Sequence, residues 1–198
     1  MSTLAGARGK LAETRFFLGF LKRIEDNQPA TTELLDNEAT YFTSALLNAC
    51  YSVLEHLECQ GKRALRSIDT PEAKLCESDL EKAVRHLEDS DICRPVRRGA
   101  PLERAGLRTL AVHHELVQGK HQNQTHGGWG SARWGTTRWG ATTSTCRLYA
   151  DHPISKERVW IVPRMTEHVQ ELEELVTHWE NRIVSLGIPG GAAPLGRS

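Results

Sequence analysis

The chain has 198 residues, enough for one compact domain with appendages. Lys and Arg balance Asp and Glu at 25 each, so overall charge names no polyanionic partner. Five cysteines, an odd number without a CxxC pair, argue against a disulfide frame or zinc site. They read as buried free thiols. No run of about 18 apolar residues occurs, so no membrane span is expected. With no N-terminal signal pattern in "MSTLAGARGKLAETRF", the expectation is a soluble protein of the cytoplasm.

The elements follow in chain order. Residues 10–27 predict a helix with Leu11, Phe16, Phe17, Phe20, Leu21 and Ile24 as its apolar side. Thr31 and Thr32 offer caps for a second helix running to about Cys59, with Gly61 just past its end. "DTPEAKLCESDLEKAVRHLED" opens with a cap and Pro71 in the first turn, predicting a helix over 71–89. "RPVRRGAP" is a linker, and Pro101 starts a fourth helix over roughly 101–120. Character then changes. "TCRLYA" and "RVWIVP" predict two strands joined across Asp151–Pro153. Residues 164–186 return to helix, with Val169, Leu172, Leu175, Val176, Trp179 and Ile183 as its stripe. The remainder, 187–198, is Gly- and Pro-rich and reads as a disordered tail.

The expected fold is therefore mainly α: a four- to five-helix bundle with a β-hairpin or ribbon before the last helix. Its divisions are a bundle over 1–121, a Gly/Trp/Thr-rich β insertion over 122–163, a final helix over 164–186 packing back on the bundle, and the tail.

Charge is distributed unevenly along this plan. Between Arg94 and Ala150 stand nine Lys or Arg against Glu103 and Glu115, a net of +7, while the rest of the chain is −7. Such a split lets one part meet a polyanion, or lets the two parts neutralise each other in the fold. Within the basic part, Trp129, Trp134 and Trp139 recur at intervals of five, with Arg133 and Arg138 each just before a Trp. Period five suits neither a helix face nor a strand face. Interleaved rings and guanidinium groups, together with Lys120, form a candidate platform for unpaired bases. The competing reading is a hairpin whose tryptophans cover the bundle, with arginines stacked on the rings.

The fourth helix carries the chemistry. On a helical wheel Leu107, Leu110, Ala111, His114 and Val117 share the core side, which gives His114 a structural role. Arg108 points elsewhere, and His113 lies about 140° around from it. Val112 and Leu116 form a second apolar surface, the mark of a helix covered on more than one side.

The Arg-x4-His spacing of Arg108–His113, with "NEATYFTSALLNACYSVLEHLE" before it, resembles the HEPN family over roughly residues 10–121. The resemblance implies a dimerising helical domain in which Arg108 and His113 of both chains line a cleft. It also implies RNA as substrate, and a toxin or defence effector acting beside a protein partner such as an antitoxin or defence-complex subunit. The position after the arginine, often Asn, Asp or His in that family, is Thr109 here. The chemistry suits the residues. Histidine titrates near neutrality and can move a proton at the 2′-hydroxyl or the leaving 5′-oxygen. Arginine's forked donors match the charge building on phosphate. His114 and Glu115 are candidate supporting residues. No cofactor is implied, and the spacing of His113, His114, Glu115, His121 and His126 fits no familiar metal site. P-loop, dinucleotide-binding and nucleophile-elbow motifs are lacking. The expected function is a metal-independent endoribonuclease; the rival is a non-catalytic helical subunit that binds RNA or protein within a larger assembly.

Overall fold

The computed structural model describes residues 3–26, 32–68, 70–95, 105–114, 119–126, 143–151 and 157–187, without the side chains of 32–36, 112–114, 121, 123–126 and 143–146. The fold is mainly helical with a small antiparallel sheet before the last helix, as the periodicity predicts. The elements are α1 (Ala5–Asp26), α2 (Thr32–Ile68), α3 (Pro71–Glu88), α4 (Leu107–His114), β1 (Lys120–His126), β2 (Thr143–Asp151), β3 (Arg158–Trp160) and α5 (Ile161–Gly187). The tail beyond Gly187 lies outside the described residues.

α1, α2 and α5 build the core. Leu11, Leu18 and Leu21 of α1 meet Leu46, Leu47, Val53, Leu54 and Leu57 of α2 and Leu172, Val176 and Trp179 of α5, all nearly free of solvent. α1 begins five residues earlier than its apolar period suggested. Leu4 and Ala7 are buried, and Gln60 Oε1 accepts from Gly6 N at 3.0 Å and Ala7 N at 3.3 Å. A side chain of α2 thus satisfies two backbone donors that the first turn of α1 leaves open.

α2 runs nine residues past the predicted stop. Gly61 does not end the helix; it sits inside it, where a Cβ would lie 2.5 Å from Leu80 Cδ2 of α3. The glycine admits the neighbouring helix and α2 continues to bury Leu65. Lys62 bridges Glu58 of its own helix and Glu81 of α3, and Arg66 pairs with Glu77. α3 matches its prediction: Thr70 accepts from Ala73 N at 3.2 Å, and Pro71 occupies the first turn where no donor is needed.

The sheet has three strands in the order β1-β2-β3, both pairings antiparallel. β1, "KHQNQTH", begins where the fourth helix was expected to end and runs into the expected β insertion, as a strand that was not itself predicted. It contains no apolar residue and is recruited by β2 through seven register pairs, from Lys120–Tyr149 to His126–Thr143. Its entry is fixed by Gly119, whose backbone exchanges hydrogen bonds with the Thr40 hydroxyl at 3.0 and 3.3 Å. A Cβ there would meet the Ala39 carbonyl carbon at 2.7 Å. Leu148 and Ala150 of β2 point into the core, and Leu148 N donates to Glu25 Oε1 at 2.8 Å.

"RVWIVP" splits between two elements. Arg158–Trp160 pair with β2, but Ile161 and Val162 open α5 and are buried on its stripe with Met165, Val169 and Leu172. A short β-branched run fits either period, and Pro163 is harmless in a first helical turn.

Gly106→Ala will test how tightly the elements close. Its Cβ would lie 2.5 Å from Arg94 N and 2.8 Å from Ile92 O, both backbone atoms that cannot turn aside. Urea unfolding is expected to register a loss of about 1–3 kcal/mol; an unchanged midpoint would refute the close crossing.

Candidate functional site

α4 is short, and its placement comes from the segment after α3. Gly106 N donates to Arg94 O at 2.9 Å, Leu107 N to Asp91 O at 2.9 Å, and Arg108 N to Ile92 O at 2.8 Å. Three donors of the first turn are thus taken by carbonyls of residues 91–94, which leaves that turn unsuited to an anion. Thr109, the residue after the arginine, is buried and donates its hydroxyl to Arg94 O at 3.0 Å. It belongs to this clamp. Leu107, Leu110 and Ala111 face the core as the wheel predicts.

Arg108 is half-buried. Its guanidinium carbon lies 4.1 Å from the centre of the Tyr51 ring of α2. Two carboxylates share this environment. Glu88 and Glu55 add to burial in raising the Tyr51 phenol, which Arg108 opposes. Glu88 itself is raised, first by burial and then by Glu58 and Asp89. The arrangement is a cation over an aromatic face, with acidic groups from two helices nearby.

His113 and His114 are the last residues of α4; their side chains, and all of Glu115, lie outside the described residues. So do the side chain of Val112 and all of Leu116, the second apolar surface, and Trp129, Arg133, Trp134, Arg138 and Trp139. Lys120 is on β1, pairs with Asp151 at 3.3 Å, and faces the side of the sheet that holds Tyr149 and Trp160. It does not join Arg108. The ribbon enters at Thr40 and Arg108 rests on Tyr51, about three turns or roughly 16 Å further along α2.

One cluster had no announcement in the sequence. Cys93 Sγ lies 3.5 Å from His168 Nε2, and His168 Nδ1 lies 3.2 Å from Glu171 Oε2. Thiol, imidazole and carboxylate stand in the order a nucleophilic site uses. Burial decides against that use. Cys93 and His168 are fully buried, and loss of solvent pushes the thiol up to about 12. Such a thiol is not a nucleophile at neutral pH. Beside the cluster, Arg164 Nε donates to Asp91 Oδ2 at 3.0 Å and holds that carboxyl below its ordinary range. His168 at position i and Glu171 at i+3 were readable as a helical pair; the Cys93 contact was not. Of the other described thiols, Cys50 and Cys76 are buried, whereas Cys59 is exposed; the Cys146 side chain lies outside the described residues.

Among the described residues no three His, Cys, Asp or Glu side chains converge as metal ligands, and no helix is long and apolar enough to cross a membrane. A cavity of about 10 Å³, room for about one water, lies between α2, α4, the sheet and α5, lined by Leu47, Leu107, Ala150 and Met165 among others. The chain matches no protein-family model, no curated protein and no solved structure.

The buried imidazole sets a pH dependence. Desolvation lowers the His168 pKa below its ordinary 6.5. The unfolded chain therefore binds a proton at a pH where the folded chain does not. Stability is full above about pH 6.5 and declines as pH falls toward the folded value. His168→Gln is expected to flatten this decline in urea midpoints taken between about pH 7 and pH 5. A decline of equal steepness in the variant would assign it to other groups.

Proposed function

We propose that the chain is a metal-independent endoribonuclease in which Arg108 stabilises charge on the scissile phosphate and His113 transfers the proton. The observation that carries this reading is the way Arg108 is held. The clamp of Gly106, Leu107 and Thr109 on residues 91–94 fixes the backbone, and the guanidinium rests over the Tyr51 ring. A cation oriented before substrate arrives is what electrostatic stabilisation of a phosphorane requires. The net +7 of residues 94–150 favours an RNA strand on this part of the chain. The HEPN resemblance adds the pairing with His113, the homodimer, and the role as a toxin or defence effector held by a protein partner.

A second reading has its own observation. Glu55 and Glu88 lie near enough to shift Tyr51 and so compete with a phosphate for Arg108. Arg108 is then a structural cation, and the chain a non-catalytic helical subunit.

Purified protein incubated with mixed RNA in EDTA separates the two. Cleavage is expected, leaving a 2′,3′-cyclic phosphate because the internal hydroxyl attacks. Arg108→Ala and His113→Ala are each expected to lower the rate by about a hundredfold or more. Intact RNA with the wild-type chain, or full activity in the double variant, sinks the nuclease.

The Trp/Arg segment is tested separately. Changing Trp129, Trp134 and Trp139 together to Ala is expected to weaken single-stranded RNA binding by about 1–3 kcal/mol per stacked base at unchanged helical content. Loss of helical content instead would return the tryptophans to the fold.

A further inference from the structure

The sheet presents two unlike faces. Leu148 and Ala150 of β2 are buried against the helices, so Arg147, Tyr149 and Asp151 stand on the other side. Register adds their neighbours. Trp160 and Arg158 of β3 pair with Tyr149 and Asp151, and Lys120 and Gln122 of β1 pair with Tyr149 and Arg147. Arg147 and Arg158 are exposed, and the two rings are half-buried.

Rings and cations alternate across this face. Arg158 reaches back over Tyr149, its guanidinium carbon 4.0 Å from the ring centre, and donates to Gln122 Oε1 at 2.8 Å. Tyr149 meets Trp160 edge-on at 5.9 Å and 70°. Arg147 and Arg158 both lie near the Trp160 ring, at 5.7 and 5.9 Å. The ring pair is explained by the fold, since it helps hold the three-residue β3 on β2. The charge is not. Among the described residues of this face, Lys120, Arg147 and Arg158 stand against Asp151 alone, and that carboxylate already serves Lys120 at 3.3 Å and Arg158 at 3.5 Å. Glu25, at the edge of the sheet, feels Arg147 but is engaged by Leu148 N. Gathering two guanidinium groups at one ring costs repulsion, which an anion between them relieves.

We infer that this face binds single-stranded RNA. Unpaired bases stack on Trp160 and on the Tyr149–Arg158 pair, while Arg147 and Lys120 hold phosphates. An acidic peptide satisfies the cations but leaves the rings unused. A duplex keeps its ring faces within its own stack. An unpaired strand offers phosphates and open ring faces together. The choice of RNA over DNA rests on the nuclease reading, whose substrate the sheet then narrows to unpaired strands. The sheet's entry at Thr40 and the Tyr51 seat of Arg108 are about 16 Å apart along α2. About five stacked nucleotides, at roughly 3.4 Å each, span that distance.

Fluorescence anisotropy with a short labelled 2′-O-methyl RNA, which has no free 2′-hydroxyl to attack, reads binding apart from cleavage. Saturable binding is expected, and much weaker binding of the same strand in a duplex. Trp160→Ala is expected to lower affinity about tenfold, and Trp160→Phe, which keeps a ring, by less than about threefold. Arg147→Gln combined with Lys120→Gln is expected to flatten the slope of log affinity against log salt by about 1.4, the share of two phosphate contacts on a single strand. Circular dichroism is expected to stay unchanged in all of them. Where RNA is cut, Trp160→Ala raises KM and leaves kcat alone, because the sheet grips substrate and transition state alike. Any of four results overturns the inference: no binding by the wild-type chain, equal affinity for the duplex, polyglutamate competing as well as RNA, or indifference to every one of these changes. The two readings fail separately. RNA cut at unchanged KM by the Trp160→Ala chain sinks the sheet and spares the nuclease, whereas Trp160-dependent binding without cleavage does the reverse.

Discussion

α1, α3, α4 and the first strand take their places from contacts along α2. Gln60 caps the first turn of α1, Gly61 admits Leu80 of α3, Tyr51 receives Arg108 of α4, and Thr40 holds Gly119 at the start of β1. The four seats are small or polar and lie on the sides of a helix whose remaining residues make the core. Close backbone approach at Gly61 and Gly119 works as a stop: it fixes how near a partner comes, and leucine packing then fixes the angle. A helix of 37 residues survives the glycine in its interior because Leu57 and Leu65, one turn before and after it, are buried. Tertiary contact outweighs the roughly 1 kcal/mol of lost propensity.

This explains which parts of the fold were legible in the sequence. α3 announced both its ends, because Thr70, Pro71 and a clean apolar stripe are local signals. The stripes of α1 and α5 were legible for the same reason. Gly61 was not, since a glycine that ends a helix and one that admits a neighbour look alike until the neighbour is known. β1 was not, because a strand of Lys, His, Gln, Asn and Thr has no apolar alternation and owes its existence to β2. The aromatic period of α1 was read as core, yet Phe16 faces solvent; periodicity finds a face without saying which phase is inward.

Of the candidate site, the sequence supplied Arg108 and its helix but not its surroundings. Tyr51, Glu55 and Glu88 lie 20 to 57 positions away, on two other helices. They decide how available the guanidinium is. The ring attracts it at little desolvation cost, while each carboxylate draws it from an incoming phosphate. Thr109, whose side chain looked like a departure from a catalytic pattern, is a hydrogen-bonded anchor facing the loop. The inward half of α4 therefore serves placement, and what chemistry it has lies on the half that carries Arg108.

The Cys93–His168–Glu171 row shows why proximity does not make a site. Its distances suit acyl transfer, but an ionised thiol there would give up its hydration for a single imidazole whose own charged form is disfavoured by the same burial. Both groups stay neutral and act as a polar knot between the segment after α3 and α5. Arg164 and Asp91 close the same gap from the solvent side, where charge remains hydrated. That knot bears on Arg108, because residues 91–94 are the rail on which α4 is clamped. The neutral interior pair and the charged exterior pair thus hold one segment from two sides.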